Sequence, residues 1–141
     1  MANTVENLVQ SLSDAGYRVT QPRRAVIEAL SRARRSLDPE ELCQRARKTH
    51  AEVGLATVYR TLDMLQELGL CSRVQIGGKA YALTCGESRL HYHLVCRKCH
   101  SIVEMEADDA LDSLQRRLDS VGFKSQANAI ELVGVCDKCR S

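Results

Sequence analysis

The sequence predicts an α+β chain made of two units: helices closed by a β-hairpin, then a smaller α/β unit held by metal. Three observations predict it. Apolar residues recur at helical spacing as far as Gly69 and at strand spacing over much of the remainder. A Gly77-Gly78 pair separates two strand-like runs, LCSRVQI and KAYALT. Two Cys-x-x-Cys pairs, Cys96/Cys99 and Cys136/Cys139, fall entirely in the second unit. The expected division is 1–83 and 84–141.

The first helix spans Asn7 to Ala15 and stops at Gly16. Thr20 caps the second, with Pro22 in its first turn and Val26, Ile27 and Leu30 on one face. The basic cluster Arg32, Arg34 and Arg35 reads as a solvated helix end. Asp38-Pro39-Glu40-Glu41 starts a third helix running to about Thr49, which turns Leu42 and Ala46 inward, with Cys43 beside them as a small buried hydrophobe. The fourth runs from near Ala56 to Gly69 on a stripe of Val58, Leu62, Leu65 and Leu68, leaving Thr57, Tyr59, Arg60, Asp63 and Glu67 outside. Helices followed by a hairpin are the order of a winged helix-turn-helix, whose last helix enters the DNA major groove. Residues 1–82 carry a charge of +3 and 83–141 carry −1, which agrees with that order but does not establish it.

In the second unit HYHLVC alternates, placing His91, His93 and Val95 on one face and Tyr92, Leu94 and Cys96 on the other. Ile102–Glu106 is the next strand. Asp108 or Asp109 caps a helix striped by Leu111, Leu114, Leu118 and Val121 and closed by Gly122, and Ala127–Val135 is the last strand. Such a unit has little core of its own and leans on a metal or a twin subunit.

The chain has 141 residues, 44% of them hydrophobic and 27% charged, a composition that excludes wholesale disorder. No stretch approaches the roughly 18 apolar residues of a membrane span, and the N-terminus has no secretory pattern, so a cytoplasmic protein is expected. In that reducing setting paired Cys-x-x-Cys motifs read as metal rather than disulfide, and the odd total of seven cysteines excludes full pairing. Two tight turns that each aim two sulfurs at one point build a tetrahedral thiolate cage for Zn2+ from Cys96, Cys99, Cys136 and Cys139. With no open position, such a site holds the fold and catalyses nothing.

A second, exchangeable metal site is expected beside it. His91 and His93, two residues apart on a strand, have Cα atoms roughly 6.6–7 Å apart on one face, close enough for both imidazoles to converge on one ion. Cys85 lies in the preceding loop, and Glu104 on the next strand can fold back beside them. One thiolate, two imidazoles and a carboxylate suit Zn2+, although the affinity order alone does not exclude Co2+, Ni2+ or Fe2+.

These residues resemble the ferric uptake regulator (Fur) family of bacterial metal-sensing transcription factors over nearly the whole length. The resemblance rests on Gly16-Tyr17-Arg18-Val19-Thr20 with Pro22-Arg23, on the run from Ala56 to Leu62, on the run from His91 to Cys99, and on the run from Gly134 to Cys139. It implies a homodimer with an N-terminal winged helix, a C-terminal α/β dimerisation domain, a structural four-cysteine zinc and a regulatory metal near the hinge. It further implies that Tyr59 and Arg60, with Thr57 on the same helix, read DNA, and that Tyr17, Arg18 and Arg23 approach the phosphates.

The chain departs from the family pattern in places. Ser36 stands where many members place a hinge histidine. Leu90 and Tyr92 reduce the usual histidine cluster, and His100 replaces the glycine after the first knuckle. Cys85 resembles the zinc uptake regulator branch, and a thiolate in the ligand set disfavours the peroxide-sensing branch. The fourth regulatory ligand is expected to be Glu104, with Cys71-Ser72 as the alternative.

The expected protein is a zinc-dependent repressor that binds an inverted-repeat operator in double-stranded DNA as a metal-loaded homodimer, with no membrane and no small organic substrate. An iron-, manganese- or peroxide-responsive regulator is the alternative, as is a thiol redox sensor using Cys96 and Cys99 or the lone cysteines. A zinc hydrolase with Glu104 as base lacks any substrate-pocket signature.

Overall fold

The computed structural model describes residues 4–33, 35–84, 91–106, 108–124 and 129–140. Four helices come first: α1 (Val5–Asp14), α2 (Gln21–Arg32), α3 (Pro39–Arg47) and α4 (Leu55–Glu67). They are followed by β1 (Cys71–Ile76), β2 (Lys79–Thr84), β3 (His91–Cys96), β4 (Ile102–Glu106), α5 (Asp109–Ser120) and β5 (Ala129–Gly134). The caps are those the sequence signals: Thr20 Oγ1 accepts from the Arg23 N–H at 3.4 Å, and Asp38 Oδ1 accepts from the Glu41 N–H at 2.7 Å. Asp108 is the cap of α5, accepting from the Leu111 N–H at 3.2 Å.

The helices α1–α4 share one core, with Leu12, Ile27, Leu42, Val58 and Leu65 at 0–1% exposure. Thr61 and Met64 join the buried stripe of α4, while Leu68 sits at its edge. Gly77 and Gly78, at φ +58° and +84°, make the left-handed two-residue turn that matches the twist of the β1–β2 hairpin.

This hairpin, the wing, is covered on both faces. Val74 pairs with Tyr81, and Arg73 with Ala82, so alternate residues point to opposite sides. Cys71 and Ala82 belong to the helical core. Val74, Ile76 and Tyr81 instead form a second cluster with Val95 of β3 and Ile102 of β4. The C-terminal sheet has the order β4-β3-β5, β3 antiparallel to β4 and parallel to β5.

Between α2 and α3, a short segment bridges both halves. Leu37 pairs with Ala82, with N–H···O distances of 2.9 and 2.7 Å, and Arg35 bridges to Ser101 beside the first cysteine knuckle.

The expected stripe of α5 is only partly covered. Leu111 is buried, but Leu114 is 39% and Val121 77% exposed. Helical periodicity marks the apolar side of a helix without saying what lies over it. Of the expected last strand, Ala129–Gly134 is paired with β3, and Ala127 and Asn128 lie outside the described residues.

Leu65→Ala, at a site with 0% exposure, is expected to cost roughly 2–5 kcal/mol by leaving a cavity. A urea denaturation midpoint equal to the parent's would contradict the packing described.

Candidate metal centre

The two cysteine knuckles meet. The sulfurs of Cys96, Cys99, Cys136 and Cys139 all lie within 4.8 Å of one another, Cys99 and Cys136 at 3.8 Å. A tetrahedral zinc with bonds of about 2.3 Å sets its sulfurs roughly 3.8 Å apart, so donors and spacing fit that ion. β3 delivers Cys96 at its end, the parallel strand β5 carries the chain to Cys136, and register pairs Cys96 with Gly134. The Cys136 N–H donates to Cys96 Sγ at 3.4 Å, and Lys98 Nζ donates to the Cys139 carbonyl at 3.0 Å, tying the knuckles across the gap.

Electrostatics separate Cys96, Cys99 and Cys139. Backbone N–H groups, Cys136 first and then Cys99, bring the Cys96 thiol down to about 5. Cys99 is lowered chiefly by Ser101, whose Oγ lies 3.1 Å from its sulfur. The adjacent Cys136 sulfur, with burial adding, pushes the Cys139 thiol up to about 12. Successive thiolates repel one another at this distance, and a divalent cation removes the conflict. Ser101 is a partner that spacing alone did not single out; its one signal is its place two residues after Cys99.

The second expected site is described in part. His93 is fully buried at 0% exposure. Register places His93 opposite Glu104 of β4 and Glu131 of β5, and His91 opposite Glu106 and Ala129. Residues 91, 93 and 95 share one face of β3, and Val95 on that face packs against the wing. His93 therefore lies on the face that the wing covers. Cys85 lies outside the described residues, as do the side chains of His91 and Glu104. The alternative ligand Cys71 is buried in the helical core at 3% exposure, and Ser72 is half-buried next to it.

On α4, Tyr59 (46% exposed), Arg60 and Asp63 lie outward, and Thr57 is half-buried. Arg73 of the wing donates to Asp63 Oδ1 at 2.7 Å and to the Tyr59 carbonyl at 3.5 Å, fixing the hairpin to this helix. No sequence motif announced that pair. Arg18 is exposed. The Arg23 guanidinium donates to the Arg18 carbonyl at 2.5 Å, and the Tyr17 hydroxyl donates to Glu67 Oε2 at 2.5 Å.

The model of the ferric uptake regulator family matches residues 14–133. The chain belongs to this family. It is 32% identical to the ferric uptake regulation protein of Legionella pneumophila, over 93% of this chain and 97% of that protein. Among solved structures it superposes on the ferric uptake regulator of Vibrio cholerae with a TM-score of 0.66 at 30% identity, covering 91% of this chain and 98% of that one. A zinc uptake regulator complexed with zinc and DNA shares the fold, with a TM-score of 0.71 at 24% identity, covering 96% and 95%.

As a Fur-family member the chain is a metal-responsive transcription regulator and not an enzyme. Among the described residues no helix is long and apolar enough to cross a membrane.

Because protons compete with metal for the thiolates, zinc affinity of the four-cysteine cluster is expected to rise with pH from 6 to 8. Fewer than four protons should leave per zinc near pH 7, since Cys96 is already ionised there. Proton release in weak buffer measures this, and a pH-independent affinity would exclude the cluster as the metal's holder.

Proposed function

We propose that this chain is a zinc-responsive transcriptional repressor, a cytoplasmic homodimer that binds an inverted-repeat operator in its metal-loaded form. Residues 1–83 are the winged-helix DNA-binding domain and 84–141 the dimerisation domain. The observation that carries the reading is that buried His93 lies on the sheet face covered by the wing. Cys85, His91, His93 and Glu104 would hold an ion there, at the seam between the sheet and the DNA-binding hairpin. Binding would favour whichever arrangement of the two these ligands fit better, and no other.

The other assignments follow from the family. Zn2+ in the Cys96, Cys99, Cys136 and Cys139 cluster is structural, one ion per chain. Thr57, Tyr59 and Arg60 read the major groove, and Tyr17, Arg18 and Arg23 approach the phosphates. Homodimerisation is supported by an uncovered apolar face. Val103 (54% exposed), Met105 (44%) and Leu132 (52%) line the side of the sheet opposite His93. Twofold symmetry then dictates an inverted-repeat operator.

Zinc rather than iron is supported by the cysteine in the proposed ligand set, a soft donor. An iron- or manganese-responsive regulator is the second reading, favoured by the names of relatives: ferric uptake regulation proteins of Legionella pneumophila and Bacillus subtilis, and a manganese uptake regulator at 28% identity.

The deciding experiment selects operator DNA from random duplexes and titrates metal against its binding. Zinc is expected to raise affinity by about 100-fold, and Cys85→Ser to remove that response while one zinc per chain remains. A response to Fe2+ or Mn2+ but not Zn2+ would establish the second reading.

Arg60→Ala is expected to weaken DNA binding by roughly tenfold or more with metal content unchanged. Loss of zinc in that variant would overturn the DNA-reading role.

A further inference from the structure

We propose that His100 is a latch between the first cysteine knuckle and the wing, holding the DNA-binding hairpin against the C-terminal sheet through its ring and its carbonyl. Three observations meet at this residue.

His100 is the single non-glycine residue with positive φ among the described residues, at +62°. Left-handed backbone is unfavourable for a side chain with a Cβ, so the surrounding contacts hold it there. Its N–H donates to the Cys96 carbonyl at 2.8 Å, closing the knuckle turn.

Its carbonyl points the other way, out of the knuckle. It accepts from the Ser36 N–H at 3.1 Å, with Ser36 Oγ at 3.5 Å. Ser36 is fully buried, and the next residue, Leu37, is paired on both sides with Ala82 of the wing.

The imidazole itself lies against Tyr81, ring centroids 4.3 Å apart and planes tilted by 49°. The two rings are in direct contact, at a separation just below the roughly 4.5–7 Å usual for aromatic pairs. Tyr81 belongs to the cluster of Val74, Ile76, Val95 and Ile102, which joins wing to sheet.

A short physical path therefore runs from the cysteine cluster to α4: the knuckle turn, the His100 ring and carbonyl, the 36–37 segment and Tyr81, then Arg73 on Asp63. Its consequence is a second input to the DNA-binding half. Distortion of the four-cysteine knuckle moves His100 and releases the wing, in addition to any effect on the C-terminal unit. The hydrogen bonds and ring contact supply the coupling.

The test is amide hydrogen exchange of Ser36, Leu37 and Ala82 in the zinc-containing protein. His100→Asn keeps a residue that tolerates positive φ but removes the ring. Tyr81→Leu removes the opposing ring, and Tyr81→Phe keeps one. His100→Asn and Tyr81→Leu are each expected to speed exchange by about three- to tenfold. The double variant should exchange no faster than the singles, and Tyr81→Phe should match the parent. Zinc content and oligomeric mass should be unchanged throughout. Parent-like exchange in both single variants, additive effects in the double, or zinc loss from His100→Asn would each overturn the latch. Exchange is read without DNA or regulatory metal, so failure of the zinc-sensing reading would leave this result standing.

Discussion

The C-terminal sheet has too little buried surface to stand by itself, and much of the architecture answers that constraint. Among its described residues, Val95, Cys96, His93 and Leu111 are buried, whereas the helical half has a continuous core running from Leu8 to Ala82. A unit this thin needs support from outside its own apolar contacts. Three supports converge on β3: the thiolate cluster at its end, the wing on one face and an apolar surface left open on the other. The cluster is the most demanding of these. Four sulfurs within 4.8 Å repel one another as thiolates: backbone N–H groups hold Cys96 down to about 5, while the neighbouring Cys136 sulfur pushes Cys139 up to about 12. A tetrahedral cation turns the repulsion into bonds and ties β3 to β5 at the same stroke.

The wing's two covered faces explain how a small hairpin can carry information. A hairpin alone is marginal in water. Here Cys71 and Ala82 enter the helical core, while Val74, Ile76 and Tyr81 meet Val95 and Ile102. Arg73 then grips Asp63 on α4. The hairpin is thus joined both to the sheet and to α4, whose outward surface carries Tyr59 and Arg60. A ligand at the seam exerts leverage only through its preference between arrangements, and a buried histidine on the wing-covered face is well placed to express such a preference.

The two exposures of β3 divide the labour. The His93 side looks toward the wing, and the Leu94 side, with Val103, Met105 and Leu132, is open and apolar. Strand alternation alone separates these functions: one residue's shift in register would exchange them. The pairings of His93 with Glu104 and of Leu94 with Val103 keep the proposed metal face and the proposed dimer face apart.

Much of this was legible in local sequence. The caps at Thr20, Asp38 and Asp108, the Gly77-Gly78 turn and the α4 stripe are set by neighbours within a few residues, and the structure keeps them. The meeting of the two Cys-x-x-Cys pairs was legible too, because each turn aims two sulfurs at one point and one ion needs four. Long-range partners were not. Nothing near Ser36 signals that it will bond the carbonyl of His100, nothing in Arg73 names Asp63, and the stripe of Leu114 and Val121 does not disclose that it stays uncovered within one chain. Periodicity and capping are properties of a segment, so the chain itself determines them. Which faces meet depends on how separate segments dock, and only the tertiary structure decides that.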